Sequence, residues 1–328
     1  MNKRMISGIK PTGNLTLGNY LGAIKPFVKY QDEYDLMVFI ADLHALTLPI
    51  EPSALKYNTS MILLTYIAAG LDPYKTTIFK QSDIPYNNCL EWILTCNTTL
   101  GEFTKMPQYK NYIEGHKNQA IPTGVLLYPS LMAADILLYD AKYVPVGIDQ
   151  KPHIDLARDM AEKFNSKYGK VFTLPEAVLN KESAKIMSLS DPTKKMSKSE
   201  SDKGTIYLTD DMETIHKKIM KAKTDAEGKI YYDPENKPGI SNLLTIYAAI
   251  KDITIDEAAE TFKDETDYGV FKKAVSKVVC DEIHKLQENI KKVAKEYNVK
   301  SLLNYGKEKV INIARMNLEA IYNRIGIL

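Results

Sequence analysis

Three places in the chain hold side chains that could do chemistry. The first is "KKMSKS", residues 194–199, with three lysines and two serines around Met196 and no hydrophobic period or capping pattern. A solvated surface loop looks like this, and so does a flexible arm that grips phosphates. The second is "SGIKPTGNLTLGNY", where Gly8, Gly13 and Gly18 crowd into eleven residues. Such a turn lets backbone approach a ligand closely and aims helix-start N–H groups at an anion. It matches neither G-x-x-x-x-G-K-[ST] nor G-x-G-x-x-G, and a purely structural turn reads the same way. The third is Asp135 in "LMAADILL". Tyr128, Met132 and Asp135 are spaced i, i+4, i+7, which is one face of a helix that includes Tyr128. A carboxylate among apolar Leu131, Ile136 and Leu138 is predicted to be buried, and burial is costly without a donor. A backbone amide, a lysine or a ligand N–H would serve.

These residues need elements to hold them. "RMISGI", "LMVFI", "TTIFKQSDI" and "AKYVPVG" read as strands. Between them, "LTLGNYLGAIKPFVKYQ", "SALKYNTSMILLTYIAAG" and "DQKPHIDLARDMAEKFNSKYG" read as helices, the second ending on Gly70 as its cap. "YPSLMAADILLYDAK" reads as a helix with Pro129 in its first turn. Apolar strands alternating with helices imply an α/β fold with a parallel sheet covered on both faces. After residue 205 the strand pattern stops and helical periodicity runs to the end. The reading is an α/β domain to about residue 190, then an all-helical domain.

Composition excludes little. The 328 residues are 45% hydrophobic and 26% charged, enough for an ample core and two domains. No apolar run reaches the roughly 18 residues of a membrane span. The start, "MNKRMISGIKPTG", lacks an apolar stretch of signal-peptide length. Cys89, Cys96 and Cys280 have no metal-ligand spacing and read as reduced, buried, structural thiols of a cytosolic protein. The net charge is +2, but residues 271–328 hold 12 Lys/Arg against six Asp/Glu, leaving −4 for the rest. A basic end suits nucleic acid, and equally a solvated helical surface. Only four of 43 basic residues are Arg, so any phosphate grip falls to lysine point charges rather than bidentate forks.

A glycine-rich turn after the first strand, paired with Lys-Met-Ser-Lys-Ser at the end of the α/β domain, resembles the class I aminoacyl-tRNA synthetases. Thr16-Leu17-Gly18-Asn19 stands where that family usually has His-Ile-Gly-His. Thr and Asn are still short polar side chains that can hydrogen-bond phosphate. "PSLMAADILLYDA", "VPVGIDQKPHIDLARDMAEKFN", "IMSLSDPTKKMSKS" and "KPGISNLL" narrow the resemblance to the bacterial-type tryptophanyl-tRNA synthetases, over essentially the whole chain.

The resemblance implies a Rossmann-type catalytic domain over 1–190. A helical insertion of about 86–140 would hold the amino-acid pocket and the dimer contact. The lysine loop and a helical anticodon-binding domain would occupy 191–294, with a helix of about 295–328 that could pack back on the first domain. It implies ATP-dependent activation of L-tryptophan and transfer to the 3′ terminal adenosine of tRNA(Trp), releasing AMP and pyrophosphate. It also implies a cytoplasmic homodimer, Mg2+ accompanying ATP, no protein-bound metal or prosthetic group, no membrane and no DNA. Alternatives are a tyrosine-specific relative and a catalytically silent RNA-binding paralogue. A silent paralogue has no reason to keep the lysine loop, "GID" and Asp135 together.

Residue by residue, the resemblance puts Lys195 and Lys198 on the β/γ-phosphates, with Met196, Ser197 and Ser199 shaping their loop. Lys10, Pro11, Thr12, Gly18 and Asn19 would line the nucleotide from the turn, Thr16 and Asn19 acting with the lysines. Gly18 would leave room for adenine, and Ile186 would touch it. Gly147, Ile148 and Asp149 would face the ribose, unless Asp149 caps the helix that follows. Asp135 would accept the indole N–H, so phenylalanine is rejected. Tyr128 and Gln150 would face the substrate ammonium, with His44 near it. Met132, Ile6, Val144 and Val146 would line the ring slot. The other histidines (His116, His153, His216, His284) read as ordinary surface or helix residues. Many relatives have Gln where this chain has Lys10, a cation beside the substrate carboxylate and α-phosphate. A further phosphate-binding lysine is expected within "KMPQYKNYIEGHKNQAIP", where Lys110 and Lys117 both fit.

Overall fold

Five parallel strands form the centre of the computed structural model, which describes residues 3–116, 119–179, 185–197 and 202–328. They are β1 (Arg4–Ile9), β2 (Asp35–Ile40), β3 (Thr77–Lys80), β4 (Tyr143–Val146) and β5 (Glu176–Leu179), in the order β3-β2-β1-β4-β5. Five of the six β2 residues are buried, because a parallel sheet is covered on both faces. Ile9 lies opposite Ile40, and Ile40 opposite Lys80, so the carboxyl ends of β1, β2 and β3 are level. The chain leaves β1 towards β2 and later returns as β4 on its other side. That reversal opens a crevice at the carboxyl ends of β1 and β4, the usual ligand position in such sheets.

The sequence reading omits β5. "EAVL" has only three apolar residues in a row and two partly buried positions, too short a signal to stand out, and it becomes a strand through pairing with β4. β4 meets β1 at the single pair Met5 and Tyr143. Pro145, which has no N–H to donate, lies beyond that pair.

Helix Pro52–Ala68 stops as expected, with Gly70 at φ 113° just past its end. Helix Thr123–Leu137 begins six residues before Pro129, so that proline is interior rather than in the first turn. Burial between helices Tyr86–Cys96 and Lys151–Tyr168 keeps it continuous despite the lost hydrogen bond. The expectation of buried thiols fails. Cys89 and Cys96 are exposed and Cys280 is half-buried. Helix Tyr86–Cys96 turns Asn87, Leu90, Ile93 and Leu94 inward, which leaves its cysteines on the opposite face.

Beyond residue 205 the chain is helical and is stitched to the glycine-rich turn. Leu17 N–H donates to Ile206 O at 2.9 Å, and Leu208 N–H donates to Leu15 O at 2.9 Å. Gln287, on helix Tyr268–Glu296, donates to the carbonyls of Leu208 and Asp210. Helix Val299–Ile325 lies against the edge strand β3. Among the described residues no helix is long and apolar enough to cross a membrane.

The last helix approaches β3 through Gly306. A Cβ there would come within 1.7 Å of the Ile78 carbonyl oxygen, which is backbone and cannot step aside. Gly306→Ala is therefore expected to lower stability by about 1–3 kcal/mol, read as a lower denaturant midpoint.

Candidate active site

The turn after β1 is held by its own side chains. Thr16, 1% exposed, caps the short helix that follows: its hydroxyl accepts from Asn19 N–H at 3.2 Å. Asn19 Oδ1 accepts in return from Thr16 N–H at 3.1 Å, which completes a capping box. Buried Asn58 donates to Pro11 O at 3.1 Å and ties the turn to helix Pro52–Ala68. Gly18 has no steric need to be glycine. A Cβ there would meet Thr16 Oγ1 at 3.5 Å, Ile186 Cβ at 3.7 Å and Met196 Cβ at 3.8 Å, all ordinary contacts. Lys10 projects at the end of β1. Water reaches it, yet the protein atoms around it displace enough solvent to lower its ammonium pKa from the ordinary 10.5.

The lysine loop reaches the same turn. Residues 186–188 and 194–196 run antiparallel, with Ser188 N–H donating to Lys194 O at 2.8 Å and Met196 N–H to Ile186 O at 2.9 Å. Ile186 and Met196 are buried against Gly18, while Lys195 is exposed. Ser197 follows, half-buried, its carbonyl accepting from Thr205 Oγ1. Lys194 pairs with Asp191 at 3.3 Å on the surface. Lys198, Ser199 and Lys117 lie outside the described residues, as does the side chain of Asp149.

A second cluster surrounds Asp135, whose side chain is 1% exposed. Its Oδ2 accepts from Gln81 Nε2 at 2.7 Å and from His44 Nε2 at 2.9 Å, and its Oδ1 from Asn87 Nδ2 at 2.5 Å. The carboxylate only accepts, so His44 carries a proton on Nε2. Gln81 Oε1 in turn accepts from Leu43 N–H and His44 N–H, which fixes its amide. Asn87 Oδ1 accepts from Tyr139 OH at 2.8 Å. Burial holds the Tyr139 hydroxyl well above its usual pKa, and the charge of Asp135 adds to this. Half-buried Glu91 faces the cluster too. Burial holds its carboxyl above the usual range, against the pull of His44. Tyr128 lies edge-on to His44, with ring centroids 6.5 Å apart, and its hydroxyl is 2.5 Å from His153 Nε2.

Most of the expected residues fall into two groups. Lys10, Pro11, Thr12, Thr16, Gly18 and Asn19 share the turn, with Ile186 and Met196 packed on it. Ile6, Met132, Val144 and Val146 share one apolar cluster. Gly147, Ile148 and Gln150 follow β4 directly, and Ile148 is left 71% exposed at that strand end. Lys110 is exposed on helix Pro107–Gly115. Sequence reasoning passed over Gln81, Asn87 and Glu91, and it read His153 as an ordinary surface or helix residue, whereas that ring is buried against the Tyr128 hydroxyl. Gln81 directly follows β3, where ligand-facing residues collect. His153 is 1% exposed, and its spacing to Ala157, Met160 and Phe164 marks the inner helix face. A cavity of ≈ 320 Å³ lies behind the turn, walled by Leu15, Met61, Ile62, Leu208 and Ile290. It includes none of the Asp135 or lysine-loop residues. Among the described residues no group of three or more His, Cys, Asp or Glu could hold a metal ion.

A family model described as tRNA synthetases class I (W and Y) matches residues 2–288. The tryptophan–tRNA ligase of Caldanaerobacter subterraneus subsp. tengcongensis is 45% identical over 327 residues, which is 99% of both chains. The chain belongs to the bacterial tryptophanyl-tRNA synthetases. Solved structures of such synthetases agree with the fold. That from Mycoplasma pneumoniae superposes with a TM-score of 0.94 at 36% identity, covering 99% of this chain and 98% of the other. That from Campylobacter jejuni, in complex with ADP and tryptophan, has a TM-score of 0.79 at 33% identity, covering 98% and 99%. As a tryptophanyl-tRNA synthetase the chain is a class I tryptophan–tRNA ligase.

Two substitutions separate ligand contact from folding. Gly18→Ala should melt within about 0.5 kcal/mol of the parent, since its methyl has room, yet raise the KM for ATP in pyrophosphate exchange. Lys10→Met should not lower the melting temperature at neutral pH. Burial disfavours the charged form, so below its folded pKa Lys10 costs stability, and the cost fades as pH rises through that pKa towards 10.5. Exchange by Lys10→Met should nevertheless be slower.

Proposed function

We propose that the crevice joins the carboxylate of tryptophan to the α-phosphate of ATP. A carboxylate oxygen attacks the α-phosphorus, and the bond to the bridging oxygen of the β-phosphate breaks. The products are tryptophanyl-adenylate and pyrophosphate. The adenylate then passes its acyl group to the 3′ terminal adenosine of tRNA(Trp), releasing AMP. No covalent nucleophile on the protein is needed. Two anions must be brought together, and charge growing on the phosphates must be stabilised.

The Asp135 cluster carries this reading. A carboxylate has about four lone-pair sites, and three are filled by His44, Gln81 and Asn87. The three donors leave room for one more, and an indole N–H is a donor and nothing else. Met132, Ile6, Val144 and Val146 supply the apolar ring slot. Tyr128 and Gln150 meet the ammonium, and His153 holds the Tyr128 hydroxyl.

The nucleotide half rests on the turn and the loop. Gly18 is not required by packing, which supports a ligand that approaches there. Adenine would lie by Gly18, Ile186 and Met196, beside the exposed side chain of Ile148, with Gly147 and Asp149 towards the ribose. Asn19 points its amide oxygen back at Thr16, which leaves its NH2 for a phosphate. Thr16 acts by shaping the turn. Lys10 meets the α-phosphate and substrate carboxylate, and Lys195 and Lys198 the β/γ-phosphates. Mg2+ arrives with ATP as part of the substrate.

The helical region that follows, with its basic excess, suits the tRNA. The exposed Cys89, Trp92 and Cys96, one face of helix Tyr86–Cys96, suit the contact of a symmetric homodimer. Trp92 is 69% exposed, unusual for so large an apolar side chain.

Tryptophan-dependent exchange of labelled pyrophosphate into ATP tests the reading. Exchange should require tryptophan and be absent with tyrosine or phenylalanine. Asp135→Ala should weaken tryptophan binding by at least about tenfold, since the indole N–H loses its partner. Exchange driven by tyrosine, or by neither amino acid, would overturn the proposal.

A further inference from the structure

The segment "KPGISNLL" has no part in the reaction as described, yet one of its side chains reaches the lysine loop. Met187 lies opposite Lys195 in the antiparallel pair, flanked by the bonds Ser188 N–H to Lys194 O and Met196 N–H to Ile186 O. In a pair of this kind the N–H and C=O of Met187 point away from Lys195 and need partners elsewhere. Asn242, 4% exposed in helix Pro238–Lys251, supplies both. Its Oδ1 accepts from Met187 N–H at 2.8 Å, and its Nδ2 donates to Met187 O at 2.9 Å. One side-chain amide does the work of a third strand.

The anchor is rigid. Ile240, Leu243 and Leu244 around Asn242 are fully buried, so the amide cannot shift without disturbing the core. Gly239 lies so close to Lys223 that a Cβ would come 2.0 Å from its carbonyl oxygen. Lys223 N–H itself donates to Leu189 O at 2.8 Å, one residue past the paired strand. Helix, loop 223–224 and strand 186–189 therefore hold one another.

We infer that Asn242 is a positioning residue for the lysine loop. By gripping both polar groups of Met187 it sets the place of the strand against which Lys195 is paired. Lys195 thereby meets the phosphates at a set position. The inference rests on the phosphate role proposed for Lys195. Few side chains could substitute. Aspartate would face Met187 O with an oxygen, leucine would leave both backbone groups unpaired, and glutamine is one methylene too long.

The test is a kinetic cycle on the full chain with Asn242→Ala, Lys195→Ala and the double variant. Pyrophosphate-exchange kcat is measured alongside tryptophan affinity without nucleotide. Asn242→Ala should lower kcat roughly tenfold to a hundredfold, the scale of a 1 Å misplacement, and leave tryptophan affinity unchanged. In the Lys195→Ala background it should cost no more than about twofold, because the group it positions is gone. A merely structural role would weaken tryptophan binding as well and would add in full to Lys195→Ala. Should Asn242→Ala fail to fold, the isosteric Asn242→Asp, which keeps one of the two bonds, takes its place in the cycle. Full additivity, or near-parental kcat for Asn242→Ala beside a slow Lys195→Ala, overturns the positioning role alone. Parental kcat for Lys195→Ala overturns the phosphate role and this inference with it.

Discussion

Asp135 can stay charged inside the protein only while donors surround it, and each donor comes from a different element. His44 follows β2, Gln81 follows β3, and Asn87 opens helix Tyr86–Cys96. The carboxylate itself sits on helix Thr123–Leu137. An unpaired buried charge costs several kcal/mol, so these four elements are held in mutual register by one group. The tight second layer, in which Gln81 grips Leu43 and His44 while Asn87 grips Tyr139, leaves the cluster little freedom to rearrange. Rigidity of this kind lets a site reject a ligand that lacks one hydrogen-bond donor.

The other half of the crevice obeys a different constraint. Phosphates are highly charged and well hydrated, and the proposed nucleotide side offers them backbone and exposed lysine rather than a buried counter-ion. The turn after β1 spends its own polar side chains on the capping box between Thr16 and Asn19, which stiffens it before any ligand arrives. Ile186 and Met196 press on that turn, so the lysine loop is docked at 195–197 by apolar contact and by Thr205. The Lys195 side chain is left exposed beside that turn.

Much of this was legible in the chain itself. The strands β1 to β4 stand out as apolar runs, and Asp135 stands out as a carboxylate where only apolar residues belong. The resemblance of the glycine-rich turn and lysine loop to a known family pointed to the reaction. What was not legible has a common cause. β5 has no pattern of its own and exists by pairing with β4. Pro129 looked like a helix start because local preference outweighs packing when a sequence is read alone. Cys89 and Cys96 looked buried because free cysteine usually is, but their helix turns the other face inward.

The sequence by itself determined the kinds of group present and the elements that hold them, because periodicity of 3.6 or 2 residues records which face of an element meets the core. The tertiary structure alone decided which groups meet. The partners of Asp135 lie 48, 54 and 91 residues away along the chain, and Met187 and Asn242 lie 55 apart. No local pattern encodes such a meeting. It follows from strand order, which sets β1 between β2 and β4 and β2 beside β3, so that residues following β2 and β3 reach one carboxylate.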